Sequence, residues 1–170
     1  MNPSSSNLTH KRVLGVAIPI VLANATIPIL GAVDTGVVGQ MGLAAPIGAV
    51  GIGAIIISAI YWLFGFLRMG TTGLTAQAIG SNDHSETSAL LVRGIIIGLV
   101  AGLILILIQI PLFSAALGIA PASQEVEGLA NEYLKIRVFS APAAIAIFGI
   151  TGWLIANERT RAVLVLMLLI

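Results

Sequence analysis

Cysteine is absent from all 170 residues, which removes disulfides, thiol nucleophiles and cysteine-based metal sites from consideration. Charge is nearly as scarce. Asp, Glu, Lys and Arg make up 9% of the chain against 58% apolar residues, whereas a soluble domain carries about 25% charged residues. Water cannot be the solvent for most of this surface. The net charge of +1 gives no reason to expect nucleic acid as a partner. No Gly-x-x-x-x-Gly-Lys phosphate loop occurs, so ATP does not drive the chain directly. The two histidines, His10 and His84, fall in a terminal tail and a loop without metal-ligand spacing, and no nucleophile–base pair can be assembled. Neither an enzyme, a metal site nor an organic cofactor is expected.

What is present is apolar sequence in long blocks. Crossing a hydrocarbon core of about 30 Å takes about 20 helical residues. Four blocks are long enough: Val13–Val38, Ile47–Ile79, Leu90–Leu112 and Tyr133–Ala156. A fifth opens at Ala162 and runs nine positions to Ile170, too few to span. The expected fold is all-α, a polytopic transmembrane helical bundle of four full helices plus the start of a fifth, embedded in a lipid bilayer. On this reading the chain is the N-terminal piece of a longer protein. The competing reading of the N-terminus is a cleaved signal peptide, with Lys11-Arg12, an apolar Val13–Leu22 and cleavage at Ala23-Asn24-Ala25. Apolarity that continues to Val38, and three more spans, argue for a retained helix.

Polar loops are expected at Gly39–Pro46, Gly80–Ala89, Ser114–Asn131 and Asn157–Arg161. Lys11, Arg12, Arg68, Arg93, Arg159 and Arg161 group with one side of the membrane, and Lys135 and Arg137 with the other. Six basic residues against two place the tail over residues 1–12 in the cytoplasm. Glycine and proline are arranged as helix packing and helix bending require. Gly94, Gly98 and Gly102 repeat every fourth residue, a smooth face for close helix approach. Pro19 and Pro28 fall in the first block. Pro28 cannot donate to the carbonyl of Asn24, so a hinge is expected there.

Six residues beyond that hinge, about 9 Å along the helix, stands Asp34. An acid at the bilayer centre costs roughly 2.5–3.5 kcal/mol on insertion scales and is tolerated where it faces a cavity or partner. Asp34 is therefore the candidate for proton or cation coupling. Desolvation raises a carboxyl pKa and a nearby cation lowers it, so a carboxyl balanced between the two can exchange a proton for another cation. The alternative places Asp34 at the interface, merely solvated, because it lies 21 residues past Val13, about 31 Å along an ideal helix. Asp34-Thr35-Gly36 also spells the aspartic protease signature, but that chemistry needs two carboxylates sharing a proton. Only one copy exists. Asn24 and Thr26 on the same helix, and Gln109 on the third, are candidates to line a polar cavity; the plainer reading is that each hydrogen-bonds between helices.

The second block closes on Tyr61-Trp62-Leu63-Phe64-Gly65-Phe66-Leu67-Arg68-Met69-Gly70-Thr71-Thr72-Gly73-Leu74-Thr75-Ala76-Gln77-Ala78. This stretch resembles the multidrug and toxic compound extrusion (MATE) family, in its DNA-damage-inducible protein F (DinF) branch. An early proline in helix one, Asp34 followed by Gly36 and Gly39, and Tyr133-Leu134-Lys135-Ile136-Arg137 ahead of Pro142 agree with it. The resemblance implies twelve helices in two six-helix lobes, of which residues 13–170 form an incomplete N-terminal lobe. It implies a multi-pass protein of the bacterial inner membrane. Its activity would be antiport, exporting amphipathic, often cationic compounds in exchange for H⁺ or Na⁺, with C-terminal helices of the same protein as partners. Asp34 matches the family's helix-one acid. Two other readings stay open: a truncated membrane fragment without activity, and a flippase-like exporter of an amphipathic metabolite.

Overall fold

The computed structural model describes residues 10–40, 43–119 and 122–168; within the first helix, the side chains at 11–13, 16, 26–28, 30–31, 34–35 and 38 lie outside that description. The described residues fold into eight α-helices. Helix α1 (His10–Gly39) is helical throughout and runs through Pro19 and Pro28 without interruption. α2 (Ala44–Leu63) and α3 (Gly65–Gly80) form one stretch broken at Phe64. α4 (His84–Leu107) and α5 (Gln109–Ile119) form the next. α6 (Gln124–Arg137), a 3-10 turn (Val138–Ser140) and α7 (Ala141–Ala156) form a third, and α8 (Thr160–Leu168) ends the described chain. Among the described residues, Ala44–Gly80, His84–Leu107 and Gln124–Ala156 are long and apolar enough to cross a membrane. The expected all-helical membrane bundle is what the chain forms.

Two of the breaks follow from proline. Pro111 cannot donate to the carbonyl of Leu107, and the helix is interrupted at Ile108. Pro142 cannot donate to the carbonyl of Val138, and the 3-10 turn sits there, with the Ser140 hydroxyl donating to the Arg137 carbonyl at 2.7 Å.

Several helix boundaries differ from the expected ones. The third span begins at His84 instead of Leu90, because Asp83 caps it: the Glu86 N–H donates to Asp83 Oδ1 at 2.9 Å. The expected loop Ser114–Asn131 is mostly helix. α5 runs on to Ile119, and α6 opens at Gln124 after Ser123, whose hydroxyl accepts from the Val126 N–H. Glu125 and Glu127 in the first turn of α6 and Lys135 and Arg137 in its last complement the helix dipole.

α4–α5 runs antiparallel to α2–α3, and α6–α7 antiparallel to α4–α5. α7 packs against both α4 and α3, α2 against α6, and α1 against α8. Phe113, Leu134, Val138 and Ile145 fill the core. The glycine face on α4 meets α7 as its spacing predicts. A Cβ on Gly98 would strike the Ala146 backbone, and one on Gly102 the Pro142 backbone. Gly149 answers from α7, where a Cβ would lie 2.9 Å from the Gly94 carbonyl carbon. Backbones approach here because neither side carries bulk.

Candidate functional site

Asp34, Pro28 and Thr26 lie on α1, but their side chains are outside the described residues. Asn24 is exposed on that helix, beside the buried Ala23. α1 occupies one flank of the bundle, packed mainly on α8 and secondarily on α2. An exposed amide on an apolar helix needs water or a partner beyond the described bundle. Around it the same helix exposes Leu14, Ile18, Val21, Ile29, Val33 and Val37. Those side chains need lipid or protein against them.

Gln109 is placed elsewhere. It opens α5 beyond the Ile108 break, and its Nε2 donates to the Ile106 carbonyl at 2.9 Å. The plainer of its two expected roles, satisfying a helix carbonyl beside a break, is thus occupied. Gln109 also lines a cleft of about 640 Å³ between α5 and α6. Among the described residues that cleft is separated from α1, which packs on α8 and α2. Gln109 and Asn24 do not come together in one site.

Sequence reasoning missed the polar lining of this cleft. Glu127, Asn131 and Lys135 face it from α6, Ser114 from α5. Reading 114–131 as a loop hid the pattern. The signal was there: Ser123 in the cap position, acids in the first turn, bases in the last. Glu127 Oε1 accepts the Ala122 N–H at 3.1 Å, which holds the carboxylate beside the start of its helix.

A second polar arrangement joins α3, α4 and α7. The Thr72 hydroxyl is shared between the carbonyls of Arg68 (2.8 Å) and Gly152 (3.1 Å). The Trp153 indole donates to the Thr87 carbonyl. Thr75 and Thr151 are fully buried and their hydroxyls find no partner among the described residues. At the end of this seam Asp83 accepts from the Glu86 N–H and the Ser85 hydroxyl, which hold its carboxyl below the ordinary value of 3.8. Arg93 and Glu86 pair at 2.5 Å on the exposed face of α4. Among the described residues no three His, Asp or Glu side chains gather to hold a metal ion.

The arrangement as a whole is a scaffold of close-packed helices, α2 to α7, flanked by α1 with its exposed amide. Comparison with known proteins finds relatives. DNA damage-inducible protein F of Escherichia coli (strain K12) is 37% identical over 159 residues, which is 94% of this chain and 35% of the relative. Protein DETOXIFICATION 47, chloroplastic, of Arabidopsis thaliana is 27% identical over 117 residues, 68% of this chain and 21% of the relative. The chain therefore spans about a third or less of the length of these curated relatives. No solved structure matches it. The MatE family model matches residues 19–170, and the chain belongs to that family.

Proposed function

We propose that this chain acts as part of a secondary antiporter of the bacterial inner membrane, its N-terminus cytoplasmic. Its transport would export amphipathic, often cationic compounds in exchange for H⁺ or Na⁺. The observation that carries the reading is membership of the MatE family together with a single carboxylate, Asp34, in an otherwise apolar helix. Loop charge supports the orientation: the basic residues concentrate at the α3–α4 and α7–α8 ends. The exposed apolar flank of α1 supports assembly with further helices of a longer protein.

In this mechanism Asp34 holds a proton or cation in one state and releases it in the other. Neutralising the carboxylate changes which partners it holds, and the Pro28 region lets α1 rearrange. Asn24 and Thr26 on the same helix line the solute path, whereas Gln109 is assigned to the separate α5–α6 cleft. A ligand moves such an equilibrium only through unequal affinity for the two states, so solute and coupling ion compete. The test is made in the full-length protein expressed in a strain sensitive to cationic dyes. Asp34→Asn should abolish the resistance conferred by the native protein at equal membrane abundance. Undiminished resistance in that variant removes Asp34 from the mechanism. Vesicles with an H⁺ or an Na⁺ gradient imposed alone then identify the coupling ion.

A further inference from the structure

The α5–α6 cleft carries two charges of opposite sign that the described residues do not pair. Glu127 and Lys135 both line it, eight residues apart on α6, which is about 12 Å along the helix. Glu127 spends Oε1 on the Ala122 N–H, and its second oxygen has no partner among the described residues. Lys135 is exposed and makes no ion pair among them. Between the two lies Asn131, one turn from each. Gln109 sits at the Lys135 end of the cleft because α5 runs antiparallel to α6. Phe113 and Leu117 form the buried apolar wall.

The order of these groups along the membrane normal is the informative feature. Glu127 is close to the α5–α6 connection, at the end of the hairpin. Lys135 lies further into the spanning stretch Gln124–Ala156. From the membrane outward the cleft therefore offers the exposed apolar side chain of Ile110 and a cation, then an amide, then an anion. A phospholipid with an ethanolamine headgroup presents the complementary sequence: acyl chain, phosphate, then a primary ammonium. A volume of about 640 Å³ falls within the range of ligand pockets.

We propose that this cleft binds the headgroup of a phosphatidylethanolamine from the leaflet at that end of the bundle. The Lys135 ammonium and the Gln109 and Asn131 amides take the phosphate, and the Glu127 carboxylate takes the lipid's ammonium. One acyl chain leaves the cleft past Ile110, the exposed apolar side chain that lines it beside Gln109. The site is independent of the coupling role assigned to Asp34, and it docks α5 and α6 on lipid in a fixed register.

Native mass spectrometry of the purified chain tests this, with phosphatidylethanolamine, phosphatidylglycerol and phosphatidylcholine of matched acyl chains offered in turn. The native chain should retain phosphatidylethanolamine over phosphatidylglycerol by about fivefold, the ratio that roughly 1 kcal/mol of one charge pair supplies; phosphatidylcholine, whose quaternary ammonium has no N–H to donate to the carboxylate, should fall between the two. Glu127→Gln should bring phosphatidylethanolamine down to the level of phosphatidylglycerol. Lys135→Gln should weaken both, since both carry the phosphate. Equal retention of the three lipids by the native chain overturns the proposal, and leaves the cleft to solvent or to another protein segment. Unchanged phosphatidylethanolamine retention by a helical Glu127→Gln overturns it as well. The native ranking needs no variant to fold.

Discussion

The indole N–H of Trp153 donates to the backbone carbonyl of Thr87 at 2.8 Å, tying α7 to the first turn of α4 across 66 residues of sequence. Arg159 lies 5.9 Å over the same indole ring, within cation–π range. Trp153 thus joins α7, α4 and the turn ahead of α8 at the end of the bundle where the basic loops gather. Trp153→Phe keeps the ring and removes the donor. It should cost about 1 kcal/mol, the net contribution of one intramolecular hydrogen bond, read as a lower thermal midpoint in detergent. A midpoint equal to that of the native chain would show that water replaces the indole there.

The α4–α7 seam sets a sharper test, because its glycines differ in the room around them. A Cβ at Gly98 or Gly102 collides with backbone, whereas one at Gly94 reaches ordinary contact, 3.4 Å from Gly149 Cα. Gly118 on α5 has nothing within 4 Å. Gly98→Ala and Gly102→Ala should each destabilise by about 1–3 kcal/mol, the usual cost of overpacking. Gly94→Ala should cost less, and Gly118→Ala nothing. Thermal unfolding of the four variants side by side gives the ranking. Equal midpoints for Gly102→Ala and Gly118→Ala would contradict the packing described here.

That seam was legible in the sequence because three glycines at a spacing of four residues need no tertiary knowledge to interpret. Helix starts were less legible. Asp83 and Ser123 are single polar residues whose capping role appears only when the next turn's N–H groups converge on them. Leu90 and Tyr133 marked where apolarity begins, and helices begin earlier than apolarity does when a cap precedes it. The acid in α1 was legible as an anomaly of composition, while its surroundings were not. Position along a helix does not say which neighbour a face meets. Gln109 makes the same point: its polar character suggested a shared cavity with Asn24, but the pairing of α5 with α6 takes it elsewhere.

The turn after α3 yields a prediction about backbone geometry. Asn82 has a φ of 57°; the Asn82 N–H donates to Ile79 and the Asp83 N–H to Ala78, at 3.0 and 2.9 Å. This is a Schellman closure with Asn in the left-handed position. The turn after α7 repeats it, with Glu158 at a φ of 55° and the Arg159 N–H donating to Leu154. Asn82→Gly should be neutral or slightly stabilising. Asn82→Val should cost about 1–2 kcal/mol, since a β-branched residue resists positive φ. Chemical denaturation of the two variants checks the sign. A valine as stable as glycine would mean that the turn adopts another closure.

Asp83 supplies the pH dependence. Its folded pKa lies below the ordinary value of 3.8, chiefly because the Glu86 N–H and then the Ser85 hydroxyl donate to the carboxylate. A carboxyl whose pKa is depressed on folding binds fewer protons folded than unfolded. Its stabilisation is therefore fully present above the ordinary value and is lost as pH falls through the lower, folded one. The start of α4 should loosen on acidification below 3.8, and amide exchange at Glu86, whose donor is then left unpaired, should accelerate there. Asp83→Asn keeps a capping oxygen but cannot titrate, so it should flatten this acid dependence while retaining most of the cap at neutral pH. Acid loosening of the same size in Asp83→Asn would place the titrating group elsewhere.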